Sequence, residues 1–424
     1  MVVTAPRQAM TPRRVPIAGV RVERPAVRVA IGLVSDMGVP PGWSAQCARP
    51  VPACEAGNRL TCPGWRPKRG GSLRTPRSAE RRRDDAMTDD PMLESGKLPP
   101  EQLARLLAGL PPTGADVVMG PGVGLDCAVV RHGGHLLVCK SDPITFVADD
   151  LGHYLVQVNA NDVATTGATP RWLLVTLLLP AGGTPRALPE QLMGQISEAC
   201  ERLGIALIGG HTEVTTAVTR PVAVGALLGE VTEARLVTPQ GARPGDRLLL
   251  TKGVPLEGTA ILASDCRARL ADRFSVAELD AAAAFLERPG ISVVADARIA
   301  LAAGRVNAMH DPTEGGVKAA LWELAQASGR RLRVEAGAIP VPALSRRICS
   351  HLGLDPLATI ASGALLLAVP AAEAPAVRQA LDGSDIPCAD IGGVEAGPAA
   401  VIWCTETGCG PLAPPGQDEL ARLV

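Results

Sequence analysis

Four aspartates in separate segments of the chain have the side-chain chemistry and the local setting of metal ligands. Each stands close to Gly, Pro or Asn, and together they are Asp126 in GLDCAVV, Asp142 in KSDPITF, Asp162 in NANDVATTGA and Asp311 in HDPTEGG. Hard divalent cations select oxygen ligands, so carboxylates gathered from distant positions are typical of a Mg²⁺ site. We expect these four side chains to converge and to hold Mg²⁺ against the phosphates of ATP.

A glycine-rich turn precedes the first aspartate. Gly122 and Gly124 have no side chain, which lets backbone N–H groups approach an anion closely. A glycine-rich turn beside an aspartate is also the usual form of a hairpin connector, so this turn alone does not establish a site. Lys252 and Gly253, which follow a predicted strand and precede a predicted helix, form a second arrangement that could hold phosphate.

The most distinctive segment is HDPTEGG, which follows a predicted strand and precedes a predicted helix. Its functional candidates would lie beside the free amides of the helix start, where metal-bound phosphate is favoured: Asp311, Thr313, Gly315 and Gly316. A simpler interpretation is that Asp311 or Thr313 only caps the helix. That interpretation accounts less well for the two glycines.

A third segment, Gly209-Gly210-His211-Thr212-Glu213, comes directly after another predicted strand. His211 could act as a general base, because the pKa of histidine lies near neutrality. It could equally be a hydrogen-bonded polar residue at a strand end, without a catalytic role. The sequence leaves both interpretations open.

Two periodic patterns predict the elements that must position these residues. Apolar residues at helical spacing predict helices near 99–110, 151–166, 188–203, 255–265, 276–287, 293–303 and 316–328. Short apolar runs between turn residues predict strands near 128–130, 135–139, 172–179, 205–208, 222–228, 247–251, 331–335 and 364–369. Asn159 and Asp162 are three residues apart on one of these helices and therefore share a face.

A Pro- and Gly-rich connector at residues 238–245 separates two series of strands and helices. We therefore predict an N-terminal nucleotide-binding domain over residues 87–240 and a C-terminal domain over residues 241–424, each with helices layered on a sheet in an α/β fold. The chain has 424 residues, 46% of them hydrophobic, which is enough for two substantial cores.

Residues 1–86 differ in composition from the rest of the chain. They carry 16 Lys and Arg against 6 Asp and Glu, are rich in Pro, and show no sustained helical or strand period. A basic arm of this kind could bind nucleic acid. A disordered extension, or a start assigned too early, explains the composition better, and we take Met87 or Met92 as the expected functional start. The acidic remainder argues against a nucleic-acid partner.

The sequence also narrows the cellular setting. No apolar run reaches the ~18 residues of a membrane span, and no secretion signal is recognisable, so we expect a cytoplasmic protein with no membrane partner. The chain has 11 Cys without a CxxC framework, and we therefore expect neither structural zinc nor a disulfide scaffold.

The ordered set of motifs resembles the aminoimidazole ribonucleotide (AIR) synthetase, or PurM-like, superfamily, and most closely its hydrogenase maturation proteins of the HypE type. The resemblance spans about residues 92–415, and the motifs that carry it are GLDCAVV, KSDPITF, NANDVATTGATP, GGHTE, TKGVPLEGTA and HDPTEGGV. The resemblance implies an N-terminal α/β domain whose sheet pairs in a homodimer, a C-terminal α/β sandwich, and ATP bound between the two domains.

The resemblance also implies roles for particular residues. The four aspartates would serve Mg²⁺ and phosphate, and polar or glycine positions would line the nucleotide site at Asn159, Asn161, Gly209, Gly210 and Thr212. Lys97, next to Gly96, would belong to a flexible segment that covers the phosphates. It would stabilise charge during phosphoryl transfer.

Two functions follow from the resemblance. The first is a Mg²⁺-dependent enzyme that activates an oxygen or similar nucleophile of a small molecule by phosphoryl transfer from ATP. The second is a nucleotide-binding partner in hydrogenase or other metalloenzyme maturation without turnover of its own.

HypE-type dehydratases end in a Pro-Arg-x-Cys tail, whereas this sequence ends at Leu423-Val424, and Cys404 and Cys409 stand too early to match that tail. We therefore do not expect dehydratase chemistry. No Cys lies near Lys97, so selenide is not an expected substrate either.

Overall fold

The computed structural model describes residue 93 and residues 96–145 and 149–423. These residues belong to one compact unit, Met87–Val424. The extension predicted for residues 1–86, and the predicted starts at Met87 and Met92, lie outside the described residues.

The first sheet has six strands, β1 (Val117–Met119), β2 (Ala128–His132), β3 (His135–Ile144), β4 (Thr169–Pro180), β5 (Ala206–Thr215) and β6 (Val222–Val231). Their spatial order is β1-β2-β3-β6-β4-β5, and only β4 and β5 run parallel. Side chains alternate between buried and partly exposed along β6, so one face of this sheet packs against helices.

Helix α1 (Pro100–Ala108) precedes this sheet, and the helices α2 (Leu151–Thr165) and α3 (Leu188–Leu203) belong to the same part of the chain. Every residue of α2 is buried, because β3 and β6 cover one side of it and α3 and the later helix α7 (Val294–Ala303) cover others. Polar side chains on so deeply buried a helix need partners within the protein. The amides of Asn159 and Asn161 have such partners, whereas Gln157 Oε1 and Asp162 Oδ2 form no hydrogen bond.

The second sheet has seven strands, β7 (Asp246–Thr251), β8 (Ala308–His310), β9 (Arg331–Glu335), β10 (Leu366–Pro370), β11 (Cys388–Glu395), β12 (Ala400–Thr405) and β13 (Gly408–Pro411). Their order is β13-β12-β9-β11-β7-β10-β8, and β9 and β12 form its parallel pair. The remaining helices are α4 (Leu256–Asp265), α5 (Arg267–Leu270), α6 (Val276–Ala283), α8 (Gly316–Ser328), α9 (Ala343–Leu352) and α10 (Ala374–Asp382). The fold is mixed α/β, with helices packed on two sheets.

The predicted helix over residues 316–328 is confirmed by α8, and the predicted helix over residues 151–166 is confirmed by α2 within one residue. The expectation that the strand beginning near residue 205 ends before GGHTE is wrong, because β5 continues through this motif to Thr215. The reason is its parallel pairing with β4, in which a register shift brings Gly210 against Val175. A Cβ at Gly210 would lie 1.8 Å from the Val175 carbonyl oxygen, so only glycine fits there.

One disulfide departs from the sequence expectation. Cys404 on β12 and Cys409 on β13 are register partners across the hairpin, with Cα atoms 4.0 Å apart, and they form a disulfide. Among the other described cysteines, Cys127, Cys200, Cys349 and Cys388 are buried, as expected for small core residues. No helix in the described ranges is both long and apolar enough to cross a bilayer.

Candidate functional site

A buried lysine joins two of the predicted aspartates. Lys140 Nζ lies 3.2 Å from an Asp142 carboxylate oxygen and 2.9 Å from Asp162 Oδ2. Lys140 and Asp142 are two residues apart on β3 and therefore point to the same face, against which α2 packs with Asp162. Sequence reasoning missed Lys140, although its spacing from Asp142 in KSDPITF was the available signal.

The other two aspartates meet around His310 at the end of β8. His310 Nδ1 lies 3.0 Å from Asp126 Oδ2, and its Nε2 lies 2.9 Å from Glu323 Oε2 on α8. Asp126, His310 and Asp311 each offer a ligand atom, and these atoms lie within 4.8 Å of one another. His310 was quoted within HDPTEGG without a role, and Glu323 was not predicted at all.

Several carboxylate oxygens in this group have no hydrogen-bond partner. Both oxygens of Asp311 are buried without a hydrogen-bond partner, and Asp162 Oδ2 lies 2.9 Å from Lys140 Nζ and near the carboxylates of Asp311, Asp126 and Asp142. Burial, together with the charge of Asp126, raises the pKa of Asp311 to about 6. Burial also raises the pKa of Asp162 well above its ordinary value, more than Lys140 lowers it. Buried, unpaired carboxylates are costly unless a cation binds them, so these residues fit a divalent ion.

Asp126 is held in its ionised form. Burial would raise its pKa, but the charge and hydrogen bond of His310, with Lys140 and Lys97, bring it well below its usual range. The pKa of His310 is correspondingly raised, because Asp126 and Glu323 outweigh the effect of burial. The site therefore contains an ionised carboxylate beside two carboxyl groups that resist ionisation.

Lys97 lies at the entrance to the same group. Its Nζ donates to Thr313 Oγ1 at 3.3 Å and lies 3.5 Å from Glu323 Oε1. Burial opposes its charge, yet Glu323, Asp126 and Glu314 raise its pKa above the ordinary value. Its side chain is still 48% exposed, so a protonated amine is available to a ligand.

A cavity of about 410 Å³ adjoins these residues. One group of its lining residues is mainly polar and comprises Gly96, Lys97, Asp142, Thr313 and Glu314. A second group of lining residues is mainly apolar and comprises Ile144, Tyr154, Val158, Glu257, Ile261, Ile360 and Ser362. A more open groove of about 760 Å³ runs beside α10 and is lined by none of the predicted site residues. The smaller cavity is therefore the candidate binding site.

The two asparagines predicted for the nucleotide site have different surroundings. Asn159 Oδ1 accepts from the Asp142 backbone N–H at 3.1 Å, and its Nδ2 donates to the Leu155 carbonyl at 2.8 Å, so Asn159 fixes the position of Asp142. Asn161 donates to the Ile291 carbonyl and accepts from the Val293 N–H, each at 2.8 Å. Because both ends of its amide are engaged with buried backbone, Asn161 braces the start of α7 instead of facing a ligand.

The predicted glycines of the nucleotide site have contacts within the chain, and their role in binding stays a prediction. Gly124 has a φ of +73°, and a Cβ there would lie 2.8 Å from the Glu323 carbonyl oxygen, so this glycine permits close packing on α8. Gly122 lies in the same turn, and Gly316 is the first residue of α8. The Gly315 N–H donates to Asp418 Oδ2 at 2.6 Å and is therefore engaged by a carboxylate of this chain.

Two further predictions are not supported by the geometry. Lys252 Nζ is buried, 3.1 Å from Asp296 Oδ2, and donates to the Ser292 carbonyl, so it joins buried segments and does not hold phosphate. His211 lies on the edge strand β5, where its side chain is 67% exposed and 3.6 Å from Glu213. Gly209, Gly210 and Thr212 lie on the same strand, and none of this segment lines the cavity. A role for the segment stays a prediction.

Comparison with known proteins agrees with the fold and the motif order. The family model of the AIR synthase related protein N-terminal domain matches residues 124–231, and that of the C-terminal domain matches residues 243–404. The chain is 31% identical over 244 residues to carbamoyl dehydratase HypE of Rhodobacter capsulatus, a match that covers 56% of this chain and 67% of that protein.

Two solved structures share the fold. The crystal structure of the hydrogenase maturation protein HypE in complex with ATP matches with a TM-score of 0.58 at 24% identity, covering 75% of this chain and 91% of that one. The structure of a HypE–HypF complex matches with a TM-score of 0.57 at 21% identity, covering 68% and 93%. On its two matched domains and on its sheet and motif order, the chain belongs to the AIR synthase related family.

Proposed function

We propose that the protein is a Mg²⁺-dependent ATP-binding enzyme that transfers a phosphoryl group to an oxygen, or a similar nucleophile, of a small molecule. The observation that carries this proposal is the convergence of Asp126, Asp162 and Asp311, of which the last two have buried oxygens without a hydrogen-bond partner, close to the cavity that Lys97 and Asp142 line. The HypE structure with bound ATP supports the choice of nucleotide.

The residues of the chain have separable tasks in this proposal. Asp126, Asp142, Asp162 and Asp311 would hold Mg²⁺, which supplies charge neutralisation at the transferring phosphate. Lys140 holds Asp142 and Asp162 in position, and His310 does the same for Asp126. Lys97 and Thr313 would bind phosphate oxygens, and Lys97 would offset the charge that develops on them. The aspartates bind and orient, so none of them needs to act as a base.

A non-catalytic role in metalloenzyme maturation is the second candidate. It is supported by the HypE–HypF complex, in which a protein of this fold assembles with a maturation partner. One observation argues against dehydratase chemistry that would use the Cys404–Cys409 pair of this chain. Cys409 lies on β13 and His310 on β8, at opposite edges of a seven-stranded sheet. At about 4.8 Å per strand these edges are roughly 29 Å apart, too far for the pair to reach the site in the same chain.

Release of ADP from ATP distinguishes the two candidates. With Mg²⁺ and a panel of small-molecule acceptors, the wild type should release ADP, and Asp126→Asn should reduce the rate at least about 100-fold, because a metal-binding charge is lost. Asp272→Asn is a matched control, since that side chain is 77% exposed, and it should leave the rate unchanged. Equal rates for wild type and Asp126→Asn would leave the non-catalytic role as the better description.

We also propose that the protein is a homodimer formed through the first sheet. β5 is an edge strand, and Ile208 and Val214 on it have 52% and 61% of their surface exposed. An exposed apolar edge strand invites pairing with another chain. Light scattering at micromolar concentration should give the mass of a dimer, and Val214→Asp should shift the protein towards monomer. A monomeric wild type would contradict the proposal.

A further inference from the structure

The cavity holds a polar pair that the proposed phosphoryl transfer does not use. Glu257, in the first turn of α4, is 4% exposed, and Ser362, in the segment before β10, is 1% exposed. Both line the cavity that also contains Lys97 and Thr313. The sequence indicated only that the helix start containing Glu257 could hold phosphate through its amides, and it indicated no role for either side chain.

The pair is rigidly built but incompletely bonded. The Ser362 backbone N–H donates to Glu257 Oε2 at 3.1 Å, whereas Ser362 Oγ is buried without a partner. Next to them, the Gly258 N–H donates to the Ile360 carbonyl at 3.0 Å, and a Cβ at Gly258 would lie 2.7 Å from that oxygen. A buried hydroxyl without a partner has a large cost unless a ligand or water supplies the missing bond.

The charge of Glu257 favours a donor over an anion as its partner. Within the described part of the chain, Glu257 forms no ion pair with a Lys, Arg or His. Burial raises its pKa to about 7, more than hydrogen bonding from Ser362 lowers it, and Asp418 and Asp311 add to the rise. An amine or other N–H donor would stabilise the carboxylate, whereas a second carboxylate would repel it.

The surroundings define the rest of the ligand. Side chains around the pair present hydrocarbon or ring surface to the cavity, namely Ile144, Tyr154, Val158, Ile261 and Ile360. Lys97 and Arg220 are the cations among the lining residues, and Asp142 and Glu314 are its other carboxylates. A ligand with an apolar body and a donor group therefore matches Glu257 and these apolar side chains, while the phosphate chemistry is assigned to Lys97 and Thr313.

We propose that Glu257 and Ser362 form the acceptor subsite, and that they select a small molecule with an apolar body and an amine or similar N–H donor. This inference rests on the proposed function, because it assigns the Lys97 end to the phosphates of ATP. Glu257 determines specificity: its carboxylate accepts from the donor of the acceptor molecule, and Ser362 Oγ supplies a second hydrogen bond.

The same chemistry could come from the adenine base, which has a ring body and an exocyclic amine. The two ligands predict different effects of Glu257→Gln on ADP affinity. If the pair binds an acceptor, Glu257→Gln should leave ADP affinity unchanged. If the pair binds the adenine base, Glu257→Gln should weaken ADP binding and reduce the preference for ADP over GDP.

Calorimetric titration of the full chain at pH 8, above the pKa of Glu257, tests the inference with three probes that share a benzyl body. ADP is first bound in the presence of Mg²⁺, and benzylamine, benzyl alcohol and phenylacetate are then titrated separately. The wild type should bind benzylamine at least about tenfold more tightly than phenylacetate, with benzyl alcohol between them. Glu257→Gln should weaken benzylamine about tenfold, and Ser362→Ala should weaken benzylamine and benzyl alcohol to a smaller extent.

Glu335→Gln on β9 is a control with a side chain 54% exposed, and it should change none of these affinities. Equal binding of benzylamine and phenylacetate by the wild type would overturn the acceptor subsite without requiring any variant to fold. Unchanged benzylamine binding by a folded Glu257→Gln would overturn it too, as would a loss of ADP affinity in that variant. Failure of the wild type to bind ADP with Mg²⁺ would instead count against the proposed function itself.

Discussion

Replacing Asp311 with Asn should stabilise the metal-free protein while it removes Mg²⁺-dependent ATP turnover. Both oxygens of Asp311 are buried without a hydrogen-bond partner, and burial raises its pKa to about 6. Without a cation, the ionised side chain therefore has an unfavourable free energy in the folded state. Asn removes that charge with little change of volume, and the gain should be roughly 1–3 kcal/mol, or a few degrees in melting temperature.

The pH dependence of this gain has a definite sign. The folded-state pKa of Asp311 is raised above its unfolded value of about 3.9, so the wild type is penalised once the carboxyl ionises. The gain from Asp311→Asn should be full above pH about 6 and should disappear as the pH falls towards 4. Thermal unfolding in EDTA across this range measures it, with Asp272→Asn as the exposed control.

The same substitution should reduce Mg²⁺-dependent ADP release at least about 100-fold, because a metal ligand is lost. A stabilised but inactive variant is characteristic of a residue retained for function at a cost in stability. If Asp311→Asn lowered the melting temperature in EDTA, the carboxylate would have a structural partner. Its assignment as a metal ligand would then have to be withdrawn.

Replacing Lys140 with Met should destabilise the protein, in contrast to the stabilisation expected from Asp311→Asn. The Lys140 side chain is 10% exposed and lies between Asp142 and Asp162, which raise its pKa well above the ordinary value despite burial. Met fills similar volume but leaves Asp162 without a cation. Removing one partner of a buried ion pair costs about 3–5 kcal/mol while the other partner stays charged. Because burial raises the pKa of Asp162, that carboxyl can take up a proton instead, and we expect a smaller loss of about 1–3 kcal/mol in urea unfolding.

A double substitution separates the charge effect from packing. Lys140→Met combined with Asp162→Asn should recover most of the lost stability, because neither charge then remains unpaired. Lys318→Met is the control, since the Lys318–Asp355 pair is 30% and 37% exposed and its removal should cost less than about 1 kcal/mol. A Lys140→Met variant as stable as the wild type would show that Lys140 does not neutralise these aspartates.

Most helices and strands near the site could be predicted from sequence because their signals are local. The apolar spacing in residues 316–328 defines α8, and the apolar run after Thr169 defines β4. The aspartates were found for a similar reason, since each one stands in a short segment with recognisable turn residues. Helices α9 and α10 were not predicted, and neither were the last three strands of the second sheet.

The missing parts of the site depend on contacts between distant segments. Lys140 meets Asp162 only because β3 packs against α2, and His310 meets Asp126 only because β8 lies next to the glycine-rich turn. Asp418 reaches Gly315 from more than one hundred residues away, and no local pattern contains that contact. Tertiary packing also explains why GGHTE lies inside β5, because the absent side chain of Gly210 lets the backbone of β4 approach closely.

The central claim is that these aspartates bind the phosphates of ATP through a divalent cation. It is tested most directly by calorimetric titration of the wild type with ATP, once in Mg²⁺ and once in EDTA. We predict that ATP binds at least about tenfold more tightly with Mg²⁺, a difference of about 1.4 kcal/mol, and that Asp126→Asn removes this difference. Equal affinity in Mg²⁺ and in EDTA would contradict the claim.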